Sequence, residues 1–539
     1  GAKDFTDDSK ITYKEAVDVI SAIGVVDGYS AGDFKPDDVL TRGAAAKIIC
    51  NLILGPTTAS ALSAGTAPFK DVPVTNTFAG YITYCSQQGI ISGYADGTFR
   101  PTGTLSGNAF MKMLLGALGY DSSIEGYTGP NWTVNVAGRA YEIGLTAGND
   151  EFVGAQACTR EQAALYAVNT LKTTLVEYTD RGSEITVNGA VISTAASVPT
   201  YVTSSVYNQA TSINADRDNS GDYTVEFAER YQPDLTMDRD TDDFGRPSYT
   251  WAWKNRDIGT YVDYSLMVAE YTTGVSGREL YNVLTASTIR NADLDVYVDG
   301  VEPDEADTID KSDLSRSNQD DVGVTDNGVL TQVFVDTDAN DGDGLITIAS
   351  INTWLAQATA NYSESKEYAP LKVFTGKGGA NTTYNVDVED VANVADVADE
   401  AFYLVNISYK DSNRGEVVAI QDAEVMEDST VTKWSSDDDL VVSKLTTDGT
   451  QYEAAAKAYY DDENLYAYDR DLLTDMSYNV YLDQYGYVIG VELYEGTMKY
   501  VFITGYDRNS SNLSIRTATA GAIFLDGPMD EIEVNVTDT

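Results

Sequence analysis

Two short stretches hold oxygen-bearing side chains at the spacing of a cation-binding loop. In the first, Asp216, Asp218, Ser220 and Asp222 stand at relative positions 1, 3, 5 and 7, with Gly221 at position 6, which is how an EF-hand-like calcium loop opens. The pattern breaks at position 12, where Phe227 replaces the bidentate acid. In the second, Asp336, Asp338, Asn340 and Asp343 run through Gly342 and Gly344 in a stretch one residue longer than the regular loop. Carboxylates crowded into a tight loop repel one another unless a cation offsets them. Ca2+ is therefore the cofactor these loops lead one to expect, with hydrated acidic turns between strands as the alternative. Other chemistry is scarce. The chain has no histidine, which removes Ser-His-Asp triads, Cys-His nucleophiles and most zinc sites. Its three cysteines, Cys50, Cys85 and Cys158, form no CxxC spacing and read as small buried hydrophobes; one disulfide among them would leave a thiol over. No phosphate-binding loop, dinucleotide fingerprint or GxSxG motif occurs. The chain is therefore expected not to be an enzyme. Its 84 acidic side chains make chance carboxylate pairs certain, so a polysaccharide hydrolase stays as the least favoured reading.

The elements that must carry these residues divide into two materials. The whole chain holds 84 Asp plus Glu and 35 Lys plus Arg, a net charge of −49. Residues 1–178 carry 18 acidic and 12 basic side chains, a net of −6, which leaves 66 acidic and 23 basic, a net of −43, for the rest. Such a surface repels nucleic acid and anionic membranes. At 539 residues with 43% hydrophobic side chains, the chain is expected to fold as several domains. No run of apolar residues is long enough to span a bilayer as a helix. The opening Gly1-Ala2-Lys3-Asp4-Phe5 reads as a mature start after a small-residue cleavage site, hence a secreted protein.

Internal repeats organise the less charged third. Residues 4–55 and 69–121 align: Phe5-x-Asp7 with Phe69-x-Asp71, Gly24 through Tyr29 with Gly89 through Tyr94, and Gly32-Asp33-Phe34-Lys35-Pro36 with Gly97-Thr98-Phe99-Arg100-Pro101. A weaker third copy covers 127–178 and keeps Gly144-Leu145, Phe152 and Thr159-Arg160-Glu161. Each copy reads as helix, loop, helix. In the first, Tyr13, Val17, Ile20 and Ile23 recur at helical spacing before Gly24, and Thr41 caps a second helix with the apolar face Ala45, Ile48, Ile49 and Leu52. One such pair cannot bury its apolar face, whereas three can share a core.

This pattern resembles the S-layer-homology family, whose hallmarks are FxD, then GIIxGYxDGTFxP, then TRAE; the second copy carries the middle motif almost letter for letter from Gly89 to Pro101. The resemblance implies a surface protein of a Gram-positive anaerobe, an S-layer or surface-filament subunit. It implies an all-α pseudo-threefold prism, with secondary cell-wall polysaccharide, often pyruvylated, bound between repeats. Carried over by position, it gives Arg42 and Arg160, opened by Thr41 and Thr159, the planar fork that a pyruvyl carboxylate needs. Asp7 and Asp71 would accept from sugar hydroxyls or cap the backbone locally, and Trp132 would offer a stacking surface. The departures are Ser106-Gly107 in place of Thr-Arg in the second copy, Gly43-Ala44 in the first, and no FxD in the third.

Beyond Tyr178 helical periodicity mostly gives way to short alternating segments with Asn188-Gly189, Asp299-Gly300 and Tyr485-Gly486 turns, the pattern of β-hairpins in sandwich or small-barrel modules. The expected modules are 179–290, 291–365 (with the second acidic loop), 366–425 and 426–539, with one short helix over 349–361. The stretch from Phe244 to Tyr281 is diffusely similar to uncharacterised surface proteins of gut Clostridia. Together these readings predict a structural cell-surface protein, held non-covalently on wall polysaccharide and self-assembling through its outer domains into an S-layer. A filament or adhesin subunit on the same anchor is the alternative.

Overall fold

Hydroxyl caps start the second helix of each N-terminal repeat. Thr41, Ser106 and Thr159 each accept a backbone N–H from three residues on, at Ala44, Ala109 and Gln162, relieving one of the unpaired donors of a helix start. The computed structural model describes residues 2–203, 213, 224–374, 381–436, 442–460, 477–494, 501–507, 517–524 and 529–535. The repeats supply α1 (Lys14–Ala22) and α2 (Arg42–Leu54), α3 (Ala79–Gln87) and α4 (Gly107–Leu118), and α5 (Trp132–Glu142) and α6 (Arg160–Leu171). Helices pair across repeats: α1 packs on α6, α2 on α3, and α4 on α5.

A ring of backbone hydrogen bonds closes the three copies on one another. Leu40 N–H donates to Cys158 O at 2.8 Å, Cys158 to Leu105 O at 2.9 Å, and Leu105 to Leu40 O at 3.0 Å. The next two N–H groups of each second helix also leave their own repeat. Arg42 and Gly43 donate to Gly103 and Pro101, Gly107 and Asn108 to Gln156 and Gly154, and Arg160 and Glu161 to Asp38 and Pro36. Each helix start is thus satisfied by the loop of the next copy, in cyclic order. Small isolated β-bridges at these joints mean that the helical module is not purely helical.

This first compact unit comprises residues 1–241 and 247–263. The sequence ends the anchor at 178, but one hydrophobic core continues from Phe5 to Ile258. Strands Leu235–Thr241, Pro247–Trp253 and Arg256–Val262 form an antiparallel sheet against α1. Trp251 is fully buried and its indole N–H donates to Glu15 at 2.8 Å. The Tyr261 hydroxyl donates to Asp18 at 2.6 Å, and Lys14 donates to the same carboxylate at 2.6 Å. Alternation along these strands shows which side is apolar and carries no information about which layer that side covers. A hairpin of Ser183–Val187 with Ala190–Thr194 turns at Asn188-Gly189, both with positive φ, 52° and 80°, as a type I′ turn requires.

The second unit comprises residues 242–246 and 264–539. Its first sheet orders Met267–Tyr271, Leu330–Asp336, Leu345–Ile351 and Asp293–Val298, with the last pair parallel. Helices Gly277–Leu284 and Ala286–Asn291 lead into its parallel edge strand. A five-stranded antiparallel sheet follows, with Trp354–Ala358 at its centre between Tyr368–Val373 and Phe402–Ser408. The strands from Glu424 to Leu493 close into a small barrel, and Val501–Asp507, Thr517–Phe524 and Met529–Asn535 form a three-stranded sheet. The helix expected over 349–361 is two strands instead, because a short apolar run such as Trp354-Leu355-Ala356 fits either state until tertiary pairing decides. The observed sheets also cross the expected module edges at 290 and 365. Asp293–Val298 shares a sheet with Met267–Tyr271, and Trp354–Ala358 pairs with Tyr368–Val373.

Candidate functional site

The FxD aspartates brace the loops from beneath. Asp7 accepts the N–H groups of Phe34 and Lys35, each at 2.8 Å, and Asp71 those of Phe99 and Arg100, each at 2.8 Å. Slight burial pushes both carboxyls up, but the pairs of backbone donors outweigh it and hold both below the ordinary carboxylate value. The clamp fixes Lys35 and Arg100 at φ 56° and 61°. Beside it Phe5 packs on Phe34 and Phe69 on Phe99, with ring centroids 5.3 and 5.4 Å apart. The motif glycines are sterically required: a Cβ on Gly28 would lie 2.6 Å from Phe5, and one on Gly93 2.4 Å from Phe69. Of the two roles open to Asp7 and Asp71, the structure displays backbone capping.

Each braced loop then receives an arginine from another repeat. Arg42 Nε donates to Phe99 O at 2.8 Å, and its guanidinium lies 4.5 Å from the Phe99 ring and 4.9 Å from Tyr94. Arg160 repeats the arrangement. Its Nε donates to Phe34 O at 2.9 Å, its NH2 to Asp27 O at 2.8 Å, and its guanidinium lies 4.8 Å from Phe34 and 4.7 Å from Tyr29. Thr41 and Thr159 act one residue earlier as helix caps. The third joint has no arginine. Phe152 closes on Gly107, where a Cβ would lie 2.8 Å from the ring, and Asn108 fills the space against Gly154.

The first arginine lines a groove of about 360 Å³ with Tyr94, Phe99, Lys112, Met113 and Trp132. The groove thus draws on all three repeats. Lys112 Nζ stands 5.6 Å from the Trp132 ring. Burial, and then the charge of Arg42, hold the Lys112 ammonium below the ordinary lysine range. Arg100, paired with Asp96 at 3.3 Å, covers Tyr94 at 4.0 Å. Among the described residues no carboxylate lies within ion-pair distance of Arg42, Lys112 or Arg160. Sequence reasoning picked out Arg42, Arg160 and Trp132 but missed Lys112, Tyr94 and Tyr29. The available signal for Lys112 was a lone cation five residues beyond Gly107 in a chain of net charge −49.

The acidic loops look different. Asp336 turns one carboxylate oxygen onto the N–H groups of Asp338 and Ala339, both at 3.1 Å. Asn340 donates to Asp293 at 3.0 Å and to Gly344 O at 3.2 Å. Asp343 follows as the cap of a single 3-10 turn. Among the described residues no group of three or more acidic or cysteine side chains is spaced to hold a metal. Asp216, Asp218, Ser220 and Asp222 lie outside the described residues.

Comparison with known proteins bears on the same region. The S-layer homology domain family matches residues 4–46 and 68–107. The chain is 26% identical over 177 residues to the surface layer protein of Brevibacillus choshinensis, covering 32% of this chain and 15% of that one. It is 26% identical over 176 residues to the middle cell wall protein of Brevibacillus brevis, covering 32% and 16%. An endoglucanase of a Bacillus species is 36% identical over 106 residues, 19% of this chain and 11% of the enzyme, and that likeness falls on the repeats alone. The chain therefore spans only about 15% of the length of the first two relatives. Among the described residues no helix is long and apolar enough to cross a membrane. With FxD clamps, aromatic loops and inter-repeat arginines all in place, the chain is a secreted cell-surface protein bearing S-layer homology domains.

Proposed function

We propose that the chain is held on the wall by anionic secondary polysaccharide bound between repeats, chiefly in the groove of Arg42, Lys112 and Trp132. The observation that supports this is a pair of partly buried cations with no ion-pair partner among the described residues, in a protein of net charge −49. Burying unpaired charge is costly, and a ligand carboxylate removes that cost. Arg42 supplies a planar donor fork, Lys112 a second positive charge, and Tyr94 and Trp132 the flat apolar faces on which sugar rings stack. A pyruvylated glycan has this chemistry. Arg160, whose guanidinium already feels the carboxylates of Asp38, Asp27 and Asp33, is the weaker site.

The test is binding of purified wall polysaccharide to the full chain. Arg42→Ala with Lys112→Ala should weaken binding at least about 30-fold, since truncating one partner of a buried charge pair costs about 2–5 kcal/mol. Arg160→Ala alone should cost less. Binding that withstands the double substitution would remove the groove from the anchor.

For the outer unit we propose self-assembly into a surface layer, rather than any hydrolytic activity. Its support is an apolar row across the last sheet: Phe502 stands opposite Ile523, and Ile523 opposite Met529, with 70%, 41% and 64% of their surfaces exposed. Open, repeated contacts of such faces make sheets or fibres, and electron microscopy of intact cells distinguishes a lattice from a filament. Calcium in the acidic loops is a separate proposal, supported by their composition.

A further inference from the structure

We infer that Cys50 and Cys85 become a disulfide in the exported protein, a covalent staple between the first and second repeats. Cys50 lies on α2 and Cys85 on the facing α3, and their sulfurs are 3.6 Å apart. Each thiol also reaches the backbone of the other helix, Cys50 at Tyr81 O, 3.6 Å, and Cys85 at Ala46 O, 3.7 Å. The contact is therefore centred on the α2–α3 interface rather than at a frayed end. Both side chains are fully buried thiols. Bond formation closes the gap to about 2.05 Å. Cys158 takes no part: it sits at the ring of backbone bonds, with its sulfur 3.6 Å from Thr159 O. Disulfides form and persist in oxidising surroundings, the cell surface among them.

The reaction is thiol–disulfide exchange with an external disulfide. One cysteine thiolate attacks it and releases one external thiol. The second cysteine thiolate then attacks the mixed disulfide, forms the Cys50–Cys85 bond and releases the other external thiol. Two electrons pass from the cysteines to the external disulfide, and two protons leave the cysteines for the released thiols. The hydrogen bond with Cys50 and burial push the Cys85 thiol far above its ordinary pKa, which disfavours its thiolate once the interface has formed. Both cysteines are fully buried, so an external disulfide reaches them before α2 closes on α3, and the finished bond is shielded from reductant.

The experiment unfolds the full chain and refolds it in oxidised and reduced glutathione, with folding followed by circular dichroism. Under denaturing, non-reducing conditions one thiol per chain should alkylate, against three after reduction, and the peptides bearing Cys50 and Cys85 should run as one linked species. The oxidised chain should melt several degrees above the reduced one. Oxidant added to already folded protein should react far more slowly. Cys50→Ala and Cys85→Ala should each show two free thiols and no linked peptide. Three alkylatable thiols after oxidative refolding, or a link through Cys158, would overturn the inference.

Discussion

Asp71→Asn tests whether the FxD carboxylates are loop braces that position the arginines. The native carboxylate accepts the N–H groups of Phe99 and Arg100, each at 2.8 Å. An asparagine retains one acceptor oxygen and turns an NH2 group toward the other donor. A hydrogen bond to a charged group contributes about 1.5–3 kcal/mol, and its exposed position reduces that, so the net loss should be about 1–2 kcal/mol. At about 2–4 °C per kcal/mol for a unit of this size, the helical transition of the full chain should fall by roughly 2–8 °C at pH 7. The pH dependence gives a second handle. Asp71 has a folded pKa below its unfolded value, so its stabilisation is complete above the unfolded value near about 4. It is lost as pH falls through the lower folded value. The gap between wild type and variant should therefore be constant from pH 7 to 5 and shrink below about pH 4. Glycan binding should weaken as well, because Phe99 O, which receives Arg42 Nε at 2.8 Å, sits on the braced loop. Melts by circular dichroism from pH 7 to pH 3 measure the first two effects. An equal melting temperature at pH 7, or a gap that survives undiminished at pH 3, would refute the brace.

Two further outcomes are expected. Trp251→Ala should destabilise the first unit by about 3–5 kcal/mol, and a fragment ending at 178 should melt below one ending at 263; equal melting would show that the sheet of residues 235–262 is no part of the anchor's core. The outer unit, with its large excess of acidic over basic side chains, should gain stability with monovalent salt through screening, and bound calcium should add a further rise in CaCl2 at matched ionic strength. Equal melting temperatures in the two salts would leave both acidic loops as solvated turns.

The legible parts of this protein were those written in short-range geometry. The FxD and GYxxGxF motifs are visible because the structure needs a two-donor carboxylate, a ring and a glycine without Cβ at fixed separations. Helix starts at Thr41, Ser106 and Thr159 and the Asn188-Gly189 turn follow from local capping and φ preference. So does the helix Gly277–Leu284, whose Ser276 and Glu279 form a capping box; the reading of residues 179–290 as a β-rich module did not pick out that signal. What escaped depends on partners distant in sequence. Lys112 joins Arg42 and Trp132 only when three repeats meet, and Trp251 joins α1 across 236 residues. Residues 349–361 carried too short an apolar run for periodicity to distinguish strand from helix.

The three joints between repeats share their backbone cohesion and differ in their arginines. At every joint two helix N–H groups donate to the neighbouring loop, and the ring through Leu40, Leu105 and Cys158 joins all three. Only two joints add an arginine; at the third, Gly107 admits Phe152 and Asn108 occupies the remaining space. That joint keeps the same backbone bonds without a guanidinium, so the arginine is not what holds a joint together. A joint can therefore have glycine in place of the arginine and still close as part of the three-part core. On the proposed reading, the side chains of Arg42 and Arg160 serve mainly the wall glycan. Variants at these two positions should keep the helical fold, and a loss of wall binding in them reports on the grooves rather than on unfolding.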